Sequence, residues 1–234
     1  MRLRSLALSP IPPDLGAQYG NATIRNHCDE PVKVRSQGAW RLGGERILNV
    51  GPSFNAIEDW VWYTVESNMN STEFYHITPM AANKSTKYDW ATDKQFGQGV
   101  SMKISWANRP LDQNITQFEY GLSKNPLDTA TWPKLFYDVS LLDCAVPDNL
   151  HSTDFSATEA EYQAKTEQCP GYQNGLAVSI ETFNGDASMC EPFTCDDKCL
   201  DVYNFDRTRE MEPTKNCWGE FRGTMILDLY VGNS

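Results

Sequence analysis

Alternation of apolar and polar residues with a period of two runs through much of this 234-residue chain. In SMKISW, for example, Met102, Ile104 and Trp106 alternate with Lys103 and Ser105. The pattern recurs in PVKVRS, TQFEYGL, LFYDVSLL, LAVSIETF and TMILDLYV, with Gly, Pro and Asn turns between the runs. Because successive side chains of a strand point to opposite faces, it predicts antiparallel sheets with one wet face. Short strands of this kind predict an all-β sandwich or barrel.

One segment departs from the alternation. FSATEAEYQAKTEQC has Ser156 followed by Glu159, the spacing of a capping box, and it is rich in good helix formers. We expect a helix of about three turns there. It should end near Cys169 and form a short helical insertion, residues 145–172, in the β body.

The organisation expected for the rest of the chain is simple. Residues 20–234 should form a single domain. Residues 1–19 would be a leader or a disordered segment. Residues 51–99, which are rich in Asn, Trp and Tyr and hold two glycosylation sequons, should be a glycosylated surface elaboration.

Net charge limits the partners. The chain has 20 Lys and Arg against 31 Asp and Glu, a formal charge of −11. Nucleic acids and anionic membranes are disfavoured because both require a positive face. No apolar run approaches the roughly 18 residues that span a bilayer. Neutral polymers and cations stay open as ligands, and we expect a monomer.

Sequons and cysteines indicate a secreted glycoprotein. The Asn-x-Ser/Thr sequons lie at Asn21, Asn70, Asn83 and Asn114. Four of the seven cysteines crowd into the last fifth of the chain, as in disulfide-stapled loops, and their spacing does not fit a zinc site. The N-terminal apolar stretch breaks at Pro10, too early for a signal peptide, so we expect a trimmed or misassigned start. The alternative is a cytosolic protein whose sequons stay unmodified.

Two carboxylates stand in the middle of neighbouring strand-like runs. Glu119 lies between Phe118 and Tyr120, and Asp138 lies between Tyr137 and Val139. If the aromatic residues face the core, both acids face the other way, and pairing of the two strands would bring them together. Like charges side by side on a sheet are unfavourable, so such a pair needs a reason. The alternative is that the acids are out of register and solvated.

These runs resemble a known family. QFEYGL followed by FYDVSLLD is similar to the paired segments of thaumatin-like proteins, and CLDVYNFD resembles their Cys-Pro-Asp-Ala-Tyr segment, with Leu200 in place of proline. GNATIRNHCDEPVKV is similar to their first hairpin. GVSMKIS, ITQFEY and LFYDVSLLDC resemble the fungal branch, the Blastomyces yeast-phase-specific antigen family. The resemblance covers residues 20–50 and 97–231 in patches and implies a thaumatin-like fold.

The resemblance also implies a pattern of disulfides. The pairs it implies are Cys144 with Cys169, Cys190 with Cys217, and Cys195 with Cys199. In thaumatin-like proteins the first cysteine bonds to a cysteine of the final strand, and Val231 stands at that place here. Cys28 is therefore expected to be a free thiol.

A functional site follows from the same resemblance. Thaumatin-like proteins carry an acidic cleft of one Arg, one Glu and three Asp, and some bind or slowly hydrolyse β-1,3-glucan. The cleft carboxylates carried over to this sequence are Glu119, Asp138, Asp143 and Asp206. Asp201 is a rival for the last. Ser105 stands where the arginine is expected, with Lys103 as a stand-in. No cofactor or metal is implied.

Three functions remain open. The first is binding of a cell-wall polysaccharide of the β-1,3-glucan type, with hydroxyls held by acids and rings stacked on aromatic residues such as Trp218. The second is weak endo-β-1,3-glucanase activity, with Glu119 as acid and Asp138 as nucleophile or base. Carboxyl groups about 5–5.5 Å apart imply retention, and about 6.5–9.5 Å inversion. The third is a wall-associated antigen whose surface meets a host protein.

Overall fold

The computed structural model describes residues 20–38, 63–65, 69–76, 100–110, 113–123, 134–146, 157–173, 175–182, 189–195, 200–205, 213–218 and 221–230. Several sequence predictions lie outside these residues. They concern residues 1–19, parts of 51–99 and 145–172, and the residues Asn83, Ser156, Cys199, Asp206 and Val231.

The described residues form eleven strands and one helix. The strands are β1 (Gly20–Asn26), β2 (Val32–Gly38), β3 (Tyr63–Val65), β4 (Met69–His76), β5 (Val100–Trp106), β6 (Thr116–Ser123), β7 (Lys134–Ser140), β8 (Leu176–Thr182), β9 (Phe193–Cys195), β10 (Lys215–Asn216) and β11 (Gly223–Leu229). The helix is α1 (Glu159–Gln168). The all-β fold with one short helix is confirmed.

The strands form two sheets. One has five strands in the order β4-β1-β11-β8-β9, and the other has six in the order β10-β7-β6-β5-β2-β3. Each pairing between these strands is antiparallel except that of β1 with β11, which is parallel. The expected first hairpin is wrong, since β1 and β2 follow each other in the chain but lie in different sheets. The turn between them therefore carries the chain from one sheet to the other.

The segment 51–99 is not wholly a surface elaboration. It contributes β3, which pairs with β2 at the edge of the six-stranded sheet, and β4, which pairs with β1 at the edge of the five-stranded sheet. These pairings satisfy backbone donors and acceptors of β2 and β1 that would otherwise lie at sheet edges. The segment therefore contributes one edge strand to each sheet.

Both sheets contribute their apolar faces to a single hydrophobic core. Phe118 and Tyr137 come from the six-stranded sheet, and Met225 and Leu227 from the five-stranded sheet. Each is buried, and the alternation seen in the sequence separates them from the polar residues on the outer faces. This arrangement is a β-sandwich.

The helix begins two residues later than predicted. Its N-cap is Thr158, whose hydroxyl accepts a hydrogen bond from the Glu161 N–H at 3.3 Å, while the Glu161 carboxylate accepts one from the Thr158 N–H at 2.7 Å. The capping box therefore lies on Thr158 and Glu161, and Ser156 of the predicted pair is outside the described residues. Both pairs have the same spacing, so spacing alone could not choose between them.

Two of the implied disulfides are described. Cys144 is bonded to Cys169, which joins the end of α1 to the turn after β7, and Cys190 is bonded to Cys217. Cys195 is also disulfide-bonded. Cys28 is free and buried, as predicted. Among the described residues, no helix is both long and apolar enough to cross a membrane.

Candidate functional site

Glu119 and Asp138 are directly opposed on neighbouring strands. The register of β6 and β7 pairs Gln117 with Ser140, Glu119 with Asp138, and Gly121 with Phe136. Directly opposed residues of an antiparallel pair have Cβ atoms about 4.5–5.5 Å apart. The two acids are therefore neighbours, and the alternative that they are out of register is wrong.

The core packing of the two strands determines this placement. Phe118 and Tyr120 of β6, and Tyr137 and Val139 of β7, are all buried in the core. The twofold alternation then directs Glu119 and Asp138 to the outer face of the six-stranded sheet. Both are partly exposed there. Within the described part of the chain, Glu119 forms no ion pair.

Asp143 lies in the turn after β7 and binds Lys103 of β5. The Lys103 Nζ is 3.0 Å from the Asp143 Oδ2, and the lysine side chain is 15% exposed against 52% for the aspartate. The register places Lys103 opposite Gln117 and hence diagonal to Glu119. The lysine expected as a stand-in cation thus lies on the same face as the two acids and neutralises Asp143.

Several contacts hold the turn that carries Asp143. The Ile115 N–H donates to the Asp143 carbonyl oxygen at 3.1 Å, and the Cys144 disulfide fixes the next residue to the end of α1. Lys165 of α1, which is 1% exposed, donates to the carbonyl oxygens of Leu141 and Cys144. The helical insertion therefore stabilises this turn through the disulfide and the Lys165 hydrogen bonds.

Arg35 is a cation on this face that the family resemblance did not identify. It lies on β2 directly opposite Lys103 and is buried, at 5% exposure. Ser105, the position matched to the family arginine, is fully buried and lies opposite Lys33. The signal for Arg35 was its alternation with Val32 and Val34, which places it on the polar face. What the sequence did not reveal is that β2 pairs with β5.

Asp201 occupies the edge of the same sheet. The bridge between Tyr203 and Ser140 places its segment alongside β7, and the Asp201 Oδ1 is 2.5 Å from the Lys215 Nζ. Asp201 is thus ion-paired close to the site. Asp206, the other candidate for the third aspartate, is outside the described residues.

Phe136 is an exposed aromatic residue next to the acids. It stands two residues from Asp138 on β7, on the same outer face, and is 39% exposed. Its cross-strand neighbour on β6 is Gly121, which has no side chain to cover the ring from that side. The outer face thus combines adjacent carboxylates with an uncovered ring.

One sequon borders the site. Asn114 has φ 51°, in the left-handed region that Asn tolerates, and its Oδ1 accepts a hydrogen bond from the Ala145 N–H at 3.0 Å. The amide nitrogen, where a glycan would attach, is left out of that bond. Asn21 lies in β1 and Asn70 in β4, and glycosylation of each sequon stays a prediction.

Cys28 lies in the hydrophobic core with the residues of both sheets. Burial raises the pKa of its thiol to about 12, and the nearby Asp29 and Glu30 act in the same direction. The thiol is therefore protonated and unreactive at neutral pH.

Comparisons with known proteins do not assign the chain to a family. No protein-family model matches the chain, and no curated protein is significantly similar to it. Among solved structures, the chain is similar to the crystal structure of the protein elicitor MoHrip2 from Magnaporthe oryzae, with a TM-score of 0.47 and 15% sequence identity. That alignment covers 91% of this chain and 99% of the other.

Proposed function

We propose that this chain is a secreted thaumatin-like protein that binds a cell-wall polysaccharide of the β-1,3-glucan type on the outer face of its six-stranded sheet. The observation that carries the proposal is the register that sets Glu119 directly opposite Asp138. Both carboxylates are partly exposed on this face, so one ligand can contact both groups at once.

The chemistry of the face suits a neutral sugar polymer. Carboxylates accept hydrogen bonds from hydroxyl groups, and Glu119 and Asp138 offer several acceptor oxygens side by side. The exposed ring of Phe136 can stack against the C–H face of a pyranose. Lys103 and Arg35 on the same face limit the accumulated negative charge. An uncharged ligand also fits the net charge of −11, which would repel an anionic polymer.

Slow hydrolysis of the same polymer is the second candidate. Direct cross-strand pairing allows the two side chains to bring their carboxyl groups within the about 5–5.5 Å found in retaining glycosidases. In that reaction Glu119 would donate a proton to the leaving oxygen and Asp138 would attack the anomeric carbon. Water would then release the sugar from Asp138 with its configuration retained.

Incubation with insoluble β-1,3-glucan tests both candidates. Pelleted protein and released oligosaccharide are measured together for the wild type, Glu119→Gln and Asp138→Asn. The matched control is Glu181→Gln, because Glu181 is an exposed carboxylate on β8 of the other sheet, 3.6 Å from the Arg25 Nη2.

The outcomes distinguish binding, hydrolysis and the absence of a site. Retention that is lost in the two site variants and kept in the control supports binding, and release lost in the same variants supports hydrolysis. Absence of both signals in the wild type, or equal retention in all variants, would reject the site.

A further inference from the structure

An exposed tryptophan lies at the end of the edge strand β10, beside the proposed site. Trp218 directly follows Cys217, and 65% of its surface is exposed. An indole combines a large flat apolar surface with an N–H donor, which suits it to stack on a ligand.

The pairing of β10 with β7 places Trp218 close to Phe136. β10 places Asn216 opposite Phe136, and the Cys217 N–H donates to the Leu135 carbonyl oxygen at 2.9 Å. Cys217 and Leu135 are both fully buried on the core side. Phe136 points to the outer face, and Trp218 follows in a bend just after β10 with its ring exposed to solvent.

The tryptophan is also held in place. The backbone N–H of Trp218 donates to the Met189 carbonyl oxygen at 2.7 Å. The disulfide of the preceding residue, Cys217, ties the segment to Cys190. A ring presented from a fixed backbone loses little conformational entropy when it binds a ligand.

Distances along the face connect Trp218 with the acids. Phe136 is two residues from Asp138 along β7, about 7 Å at a rise of about 3.4 Å per residue. Asn216 is the cross-strand neighbour of Phe136, and Trp218 lies two residues further along the chain, which adds up to about 7 Å to the cross-strand spacing of about 4.5–5.5 Å. The distance from the two carboxylates past Phe136 to Trp218 is therefore longer than one hexose ring.

We infer that Trp218 forms a distal sugar subsite, which stacks on a pyranose ring of the same polymer chain whose other rings lie over Phe136 and the Glu119–Asp138 pair. The inference rests on the proposed function and adds to it the course of the ligand, from β6 across β7 to the edge strand β10. It also selects the sugar. Rings with equatorial hydroxyls, such as β-linked glucose, offer the flat C–H face that stacks on an indole, whereas an axial hydroxyl interrupts it.

The test is the dependence of affinity on chain length. Soluble β-1,3-linked glucose oligosaccharides, from the disaccharide to the hexasaccharide, are titrated by calorimetry into the wild type, Trp218→Ala and Trp218→Phe. The matched control is Leu200→Ala, which removes another exposed apolar side chain, 70% exposed. Melting temperatures of all four proteins check that each one is folded.

Trp218→Ala should bind the longest oligosaccharides about tenfold more weakly than the wild type and the disaccharide equally well. Trp218→Phe should keep most of the affinity, and Leu200→Ala all of it. Equal affinity of Trp218→Ala and wild type for every length would overturn the inference, as would an equal loss at every length. A wild type that binds the oligosaccharides and is unaffected by Trp218→Ala refutes the subsite alone, while a wild type that binds no glucose oligosaccharide refutes the proposed function as well.

Discussion

Replacement of Glu119 by glutamine should make the protein more stable while it abolishes glucan binding. The reason is the direct cross-strand pairing of Glu119 with Asp138. Coulomb's law gives about 0.8 kcal/mol of repulsion for two unit charges about 5 Å apart in water. Cross-strand pairs on sheets contribute about 0.2–1 kcal/mol. We therefore expect the free energy of unfolding to rise by about 0.5–1 kcal/mol.

The assay is thermal unfolding of Glu119→Gln, Asp138→Asn and the double variant. For a domain of this length, 1 kcal/mol corresponds to about 2–4 °C in the midpoint. Glu119→Gln should melt higher than the wild type. The double variant should melt no higher than the better single variant, because the repulsion is relieved once.

Asp143→Asn is the matched control for this prediction. It removes the same charge from the same face, but Asp143 is ion-paired with Lys103 at 3.0 Å. Loss of a half-exposed ion pair should lower stability by about 0–1 kcal/mol, the opposite sign. Lower stability of Glu119→Gln, or gains that add fully in the double variant, would refute the reasoning that the two acids repel each other.

Three further predictions concern the scaffold. Cys28 should not react with a thiol reagent in the folded protein and should titrate as one thiol after unfolding without reductant, since burial raises its pKa to about 12; rapid labelling of the folded protein would contradict this. Gly171→Ala should lower the free energy of unfolding by more than about 1 kcal/mol in chemical denaturation, because Gly171 has φ 82° and an added Cβ would lie 2.5 Å from the Leu229 Cδ2; unchanged stability would refute the clash. Lys165→Met should cost about 1–3 kcal/mol in the same measurement, because two buried carbonyl oxygens lose their donor, and a neutral effect would show that this lysine does not hold the turn.

Local pattern was sufficient for most of the individual strands. Alternation in the sequence located the strands β2, β5, β6, β7, β8 and β11, and it correctly put Glu119 and Asp138 on the face away from the core. These features depend only on which residues of a strand are apolar. Burial of Phe118 and Tyr137 leaves the intervening acids no other direction.

Features that depend on distant pairing could not be predicted in the same way. The parallel ladder between β1 and β11 joins the two ends of the described chain, and β3 and β4 come from a stretch without clear alternation. Arg35 was missed for a similar reason, because its place beside Lys103 follows from the pairing of β2 with β5. The helix cap differed because two overlapping capping boxes share one spacing.

The most direct test of the account is to map a β-1,3-linked glucose hexasaccharide onto the protein by amide chemical-shift perturbation in NMR spectra. Binding on the outer face of the six-stranded sheet predicts shifts that cluster on β6 and β7 around Glu119 and Asp138 and extend to Trp218. Residues around Arg25 and Glu181 on the other sheet should not move. Shifts confined to that other sheet, or no shifts at saturating sugar, would contradict the account.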